Sequence, residues 1–135
     1  MSNPETAVPP DAGHRRKILI VDDEPEIVRV LALRLKMAGY DVVAAMDGAG
    51  ALMTAVTEQP DLVLLDIGLP YGDGHFVASR LGSNAKTAHI PILFLSARNA
   101  DDDLRSARQS GAVGFITKPY DPEELLRRVS WALES

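Results

Sequence analysis

Four short, almost uninterrupted apolar runs recur along the chain, and each ends on a polar residue. Lys17-Ile18-Leu19-Ile20-Val21 runs into Asp22-Asp23, and Leu62-Val63-Leu64-Leu65 into Asp66. Ile92-Leu93-Phe94-Leu95 runs into Ser96, and Phe115-Ile116-Thr117 into Lys118-Pro119. A strand with one wet face alternates apolar with polar residues; the runs at 18–21, 62–65 and 92–95 do not alternate. They call for burial on both faces, which a parallel sheet covered by helices provides. The less apolar Asp41-Val42-Val43-Ala44-Ala45 fits a strand at the sheet edge, and Ala112 to Ile116 fits a fifth strand.

Helical patterns fill the intervals. Pro25 suits a first turn. Val28, Leu31 and Leu35 then recur at three- and four-residue spacing, and Gly39 stops the helix. Shorter helices are predicted over 48–58 and 74–82, and another over 101–109 closed by Gly111. The last helix has Asp121 as N-cap, Pro122 at its first position and Glu124 placed as in a capping box. Its expected buried stripe is Leu125, Leu126, Val129, Ala132 and Leu133. Five βα units joined by right-handed crossovers give an α/β fold with a doubly wound sheet.

The chain has 135 residues, enough for one domain that buries roughly two-thirds of its unfolded surface. Residues 1–15 are proline-rich and poor in large apolar groups, so they are expected to be a disordered tail before a domain over 16–135. The net charge of −5 offers no global basic field for nucleic acid. The short clusters Arg15-Arg16-Lys17 and Arg127-Arg128 read as solvated charge. With no cysteine, disulfides, thiolate catalysis and cysteine–zinc sites are excluded. No apolar stretch approaches the ~20 residues of a membrane span. Met1 to Gly13 lacks a signal-peptide core, and the expectation is a soluble cytoplasmic protein.

If the runs are parallel strands, their polar ends share the edge where open α/β sheets bind ligands. Asp22, Asp23 and Asp66 would lie close together if their strands are neighbours, ~4.8 Å apart. Carboxylates that close repel one another, and a hard divalent cation relieves the repulsion. Magnesium suits one or two carboxylates with waters and phosphate oxygens. Lys118 would bring a second positive charge, and Ser96 could donate to an oxygen of a transferred group. Such a cradle stabilises a phosphoryl group, and an aspartate can be the nucleophile. Each residue alone has a plainer reading. Asp22-Asp23 could cap the first helix, Asp66 could be a turn residue before Pro70, Ser96 a loop hydroxyl, Lys118 a solvated lysine and Phe115 core. Their joint placement on one edge outweighs these. His14, His75 and His89 form no metal spacing. Trp131 reads as packing or an exposed contact, and Gly72 and Gly74 around Asp73 as a turn. Nothing matches a glycine-rich nucleotide loop.

The motifs Ile-Val-Asp22-Asp23-Glu24, Leu-Leu-Asp66-Ile-Gly-Leu-Pro70, Leu-Ser96-Ala97 and Lys118-Pro119-Tyr120 stand in order at strand ends. Together, from about Lys17 to Leu133, the chain resembles a receiver domain of two-component response regulators. The resemblance implies a flavodoxin-like five-stranded parallel sheet of order 2-1-3-4-5 with five helices. It implies that Asp66 is the phosphoacceptor, taking its group from the phosphohistidine of a sensor histidine kinase or a phosphotransfer protein. Mg2+ would be held by Asp23 directly, by Asp22 mostly through water, by Asp66 and by the Gly68 carbonyl. Ser96 would sense the phosphoryl group and Lys118 would pair with it. Phe115 occupies the switch-aromatic position, Ala97 leaves it room to swing, and the Lys118–Pro119 bond is expected to be cis. Phosphorylation would bias an existing equilibrium in the face formed by the fourth helix, fifth strand and fifth helix.

That resemblance makes the chain a signalling switch that catalyses its own phosphorylation and slow dephosphorylation, not a metabolic enzyme. The output partner is unnamed, and neither nucleic acid nor membrane is bound by the domain directly. Gly68 and Arg98 stand at positions that tune the phosphorylated lifetime in the family. The Gly111-Ala112-Val113-Gly114 stretch lacks the acidic pair found in strand five of many DNA-binding members, against their dimer mode. A magnesium phosphatase with an aspartyl-phosphate intermediate usually has an acid two residues after the nucleophile, where this chain has Gly68. A flavin or nucleotide domain would need a phosphate-binding glycine loop after the first strand, where Asp22-Asp23 stands instead. The first helix carries more apolar residues than one buried stripe needs. Either all of these are buried, or Ile27, Val30 and Arg34, with Pro119 and Tyr120, form a kinase-docking surface beside Asp66, which is the expectation carried forward.

Overall fold

A computed structural model describes residues 15–70, 73–96 and 112–134. The helix expected over 101–109 lies outside the described residues, as do Gly72, Ala97, Arg98, Gly111 and residues 1–14 of the expected tail. Among the described residues there are five strands: β1 (Lys17–Val21), β2 (Asp41–Ala45), β3 (Leu62–Asp66), β4 (Ile92–Ser96) and β5 (Gly114–Thr117). Among the described residues the helices are α1 (Pro25–Met37), α2 (Gly48–Glu58), α3 (Asp73–Ser83) and α4 (Pro122–Glu134). The strands form one parallel sheet of order β2-β1-β3-β4-β5, which puts β2 at an edge as its composition foretold.

The uninterrupted apolar runs are buried because successive side chains point to opposite faces and both faces are covered. Leu19, Val21, Val63, Leu65, Ile92 and Phe94 meet Ala51 and Ala55 of α2 and Val77, Ala78 and Leu81 of α3. On the other face, Ile18, Ile20, Leu62, Leu64, Leu93 and Leu95 meet Leu31 and Leu35 of α1 and Leu125, Val129 and Ala132 of α4. Leu126 and Leu133 pack against this second cluster only in part.

Local signals set the element ends. Gly39 adopts φ +100 just after α1, a conformation without the Cβ penalty that other residues carry. Asp47 caps α2, accepting from the Gly50 amide at 2.7 Å. Asp121 accepts from the Glu123 amide at 3.1 Å, one position before the Glu124 amide that a capping box uses. β5 is displaced from its expected span. Its ladder to β4 runs from Leu93↔Gly114 to Ser96↔Thr117, so the register of the neighbouring strand, not the apolarity of Ala112 and Val113, decides where β5 lies. Among the described residues no helix is long and apolar enough to cross a membrane.

Candidate functional site

Three strand ends deliver the polar groups to one place. The Asp22 amide donates to the Ala45 carbonyl at 3.2 Å, carrying the β1–β2 pairing one residue past the strand. The Ile67 amide donates to the Leu95 carbonyl at 2.8 Å and anchors the chain just beyond Asp66. The Lys118 amide donates to the Ser96 carbonyl, so the lysine leaves β5 beside the end of β4. Asp22, Asp23 and Asp66 each bring a carboxylate oxygen within 4.8 Å of the others.

The three carboxylates differ in surroundings. Asp22 is fully buried; its Oδ1 accepts from the Glu24 amide at 2.9 Å and its Oδ2 from Lys118 Nζ at 3.1 Å. Asp23 is exposed. Asp66 is buried, with Oδ1 accepting from the Gly68 amide at 2.8 Å and Oδ2 at 3.7 Å from Lys118 Nζ. Asp22 and Asp66 thus make the same local turn, a side chain accepting the amide two residues on. The plainer reading of Asp66 as a turn residue holds together with its place in the cluster. The helix-cap reading of Asp22-Asp23 does not hold: the N-cap of α1 is Glu24, and no side chain caps it.

Burial pushes the Asp66 carboxyl above its ordinary value. The Gly68 amide and Lys118 pull it down, while the like charges of Asp22 and Asp23 push it further up. Among the described residues three carboxylates share the ammonium of Lys118, which leaves an excess of negative charge there. That donor set of hard oxygens fits a divalent cation of the magnesium type.

Ser96 is buried at the end of β4, level with Thr117 of β5. The Lys118–Pro119 bond is cis, as expected. Phe115 is half-buried against the core beneath α2 and α3, and its carbonyl accepts from Arg128 of α4 at 3.0 Å. The expected docking residues divide. Val30 is 48% exposed, and Arg34 and Pro119 are also exposed. Ile27 and Tyr120 pack in part against the core beneath α1 and α4. Burial raises the Tyr120 hydroxyl above its usual pKa, opposed by Arg34 and helped by Asp22.

Two residues of the site region escaped sequence reasoning. A Cβ built on Gly74 would come 2.8 Å from the Asp66 carbonyl oxygen and from Cα and the carbonyl oxygen of Ile67. Its missing side chain lets α3 seat against the backbone that carries Asp66, yet in sequence it reads as turn punctuation. Arg128 fastens α4 to the backbone of β5, with no local signal to separate it from Arg127.

A family model for the response regulator receiver domain matches residues 18–130. The chain belongs to that family. Within it, the receiver is 46% identical over 113 residues to the DNA-binding dual master transcriptional regulator RpaA of Synechocystis, covering 84% of this chain and 47% of RpaA. The receiver spans about half the length of the curated relatives it matches. A putative response regulator from Chloroflexus aurantiacus superposes with a TM-score of 0.85 at 33% identity, covering 90% of this chain and 99% of that one. The receiver domain of the sensor histidine kinase PA1611 from Pseudomonas aeruginosa, with a magnesium ion coordinated in its active-site cleft, superposes with a TM-score of 0.82 at 28% identity. That superposition covers 90% of this chain and 99% of that one. Receiver domains are phosphoaccepting signalling switches of two-component systems, and the flavodoxin-like strand order agrees with that membership.

Proposed function

We propose that residues 16–135 form a receiver unit that accepts a phosphoryl group on Asp66 from the phosphohistidine of a sensor histidine kinase or phosphotransfer protein. The observation that carries this reading is the gathering of Asp22, Asp23 and Asp66 within 4.8 Å of one another with the Lys118 ammonium among them. Asp66 Oδ1 is held by the Gly68 amide, which leaves Oδ2 as the attacking oxygen. Oδ2 forms the new bond to phosphorus as the phosphorus–nitrogen bond breaks, and the electron pair stays on the departing imidazole. Lys118 is within reach to pair with an oxygen of the arriving group, and buried Ser96 stands at the next strand end to sense it.

Asp22, Asp23, Asp66 and the Gly68 carbonyl would hold Mg2+, which when bound would neutralise charge on the carboxylates and on the phosphoryl oxygens. Both Asp22 oxygens already accept hydrogen bonds, which supports contact through water there and direct contact at exposed Asp23. The domain is a switch that phosphorylates and slowly dephosphorylates itself. Gly68 offers no acid for fast turnover. Ser96 and Phe115 would shift the population of the face formed by β5, α4 and the helix expected over 101–109. A cytoplasmic output partner, not nucleic acid or membrane touching this domain directly, reads that face. The kinase docks on Val30, Arg34 and Pro119, flanked by Ile27 and Tyr120.

Incubation with acetyl phosphate and MgCl2, read by intact mass, tests the chemistry. A phosphate-sized gain is expected in the wild type. It is expected to be absent in Asp66→Asn and when EDTA replaces the metal. A gain of equal size in Asp66→Asn would overturn the assignment.

A further inference from the structure

Helices α2 and α3 pack side by side on one face of the sheet, and a cleft of about 490 Å3 opens between them at the C-terminal end of α3. That size falls within the roughly 300–1,000 Å3 of small-molecule sites. None of the residues that gather at Asp66 lines it. The floor is apolar, made by half-buried Leu52 and Val56 of α2 and buried Leu81 of α3. One wall is preformed. The buried Thr87 hydroxyl donates to the Leu81 carbonyl at 2.7 Å and the Thr87 amide to the Asn84 carbonyl at 3.0 Å, which fastens the turn after α3 to the helix. The exposed end offers donors and no acid. The Arg80 guanidinium lies over the Phe76 ring at 5.5 Å and makes no hydrogen bond or ion pair among the described residues, so its N–H groups are open to a ligand. Asn84 Oδ1 accepts from the Lys86 amide at 2.9 Å, which leaves the side-chain N–H groups as its contribution. No described lining residue is acidic, and Glu58, the acid of α2, is already paired with Lys17 Nζ at 3.0 Å.

We propose that this cleft binds a small organic acid, its carboxylate on Arg80 and Asn84 and a short aliphatic or aromatic body on Leu52, Val56 and Leu81. A guanidinium takes a carboxylate through two parallel hydrogen bonds, and the Phe76 ring beneath Arg80 restrains it at the cleft mouth. Both parts of the ligand are required. An uncharged molecule would leave the guanidinium to water, and an anion with no apolar body would leave the floor wet. A bound acid would bridge the end of α3 to α2. The site stands apart from the phosphoryl chemistry at Asp66 and does not depend on that reading.

The test is titration of the full chain with sodium hexanoate and, separately, sodium benzoate, followed by amide resonances in nitrogen–proton correlation spectra. The resonances of Leu52, Val56, Leu81 and Asn84 are expected to move saturably, with a midpoint on the order of 1 mM for ligands of this size. Saturation by either acid supports the site, and the tighter of the two assigns the body as a chain or a ring. Hexanamide, which keeps the body without the charge, and acetate, which keeps the head without the body, are expected to bind about tenfold more weakly or worse. Arg80→Gln should weaken the acids by about the same factor. Ser83→Trp, at an exposed lining position, fills the cleft and should abolish binding, with Ala85→Trp as its replacement should it fail to fold. Unfolding curves of the variants without ligand check that the fold is kept. Resonance changes that scatter over the surface without saturating would overturn the proposal. So would hexanamide or acetate binding as tightly as hexanoate, or full affinity in Arg80→Gln.

Discussion

Replacing Gly74 with alanine sets two effects of known sign against each other. Within a helix, glycine to alanine gains roughly 0.5–1 kcal/mol from backbone entropy. At Gly74 the new methyl would sit 2.8 Å from three backbone atoms of residues 66 and 67, about 0.6 Å inside the 3.4 Å where ordinary contact begins. None of these atoms is the end of a flexible side chain, so α3 must back away from the end of β3. Overpacking of this kind costs typically 1–3 kcal/mol, and backbone on both sides argues for the upper part of that range. The clash wins, with a net loss of about 1–2 kcal/mol. For a domain of this size that is a drop in melting temperature of roughly 4–8 °C. The same displacement moves Asp66, and misplacement of a reacting group by about 1 Å can cost up to a hundredfold in rate. Gly82 supplies the control: it lies in the same helix, and a Cβ there meets nothing within 4 Å. Urea denaturation should show Gly82→Ala at or above wild-type stability and Gly74→Ala below it. Acetyl phosphate labelling should slow in Gly74→Ala alone. If both substitutions shift stability the same way, the packing argument at Gly74 is wrong.

Two further outcomes are expected. Because the folded state raises the Asp66 carboxyl, native protein holds its proton to higher pH than unfolded chain does. Stability from this group is complete below the ordinary aspartate value of ~3.9 and is lost as pH climbs through the raised folded value. Asp66→Asn should then be more stable than wild type at neutral pH in metal-free buffer, with the advantage shrinking toward acid. A pH-independent difference in denaturation curves would contradict this. Val30→Glu, on an exposed position of α1, should slow phosphoryl transfer from the kinase by about tenfold or more, as an interface hot spot would, and leave acetyl phosphate labelling unchanged. Equal rates with both donors, measured side by side, would place docking elsewhere.

The sequence by itself determined the fold class and which polar residues stand at the strand ends. Apolar runs without alternation at 18–21, 62–65 and 92–95 can be satisfied only by burial on both faces, and β3 and β4 are buried at every position. Asp41–Ala45 and Gly48–Glu58 fall where their patterns put them, because strand and helix periods are local properties of the chain. Strand ends in a parallel sheet share an edge, so Asp22, Asp66, Ser96 and Lys118 could be named as neighbours before any contact was seen. Only the tertiary structure decided how those neighbours divide their charges. Asp22 and Asp23 are adjacent in sequence and chemically identical, yet one is fully buried and the other exposed. Lys118 lies 96 residues from Asp22 and still bonds it more closely than it approaches Asp66. Gly74 looks like any turn glycine until α3 is laid against β3, and Ile27 packs inward where Val30 does not. These outcomes depend on ladder register and on how helices seat on the sheet. Both are set by contacts between distant segments, and no window of sequence contains them.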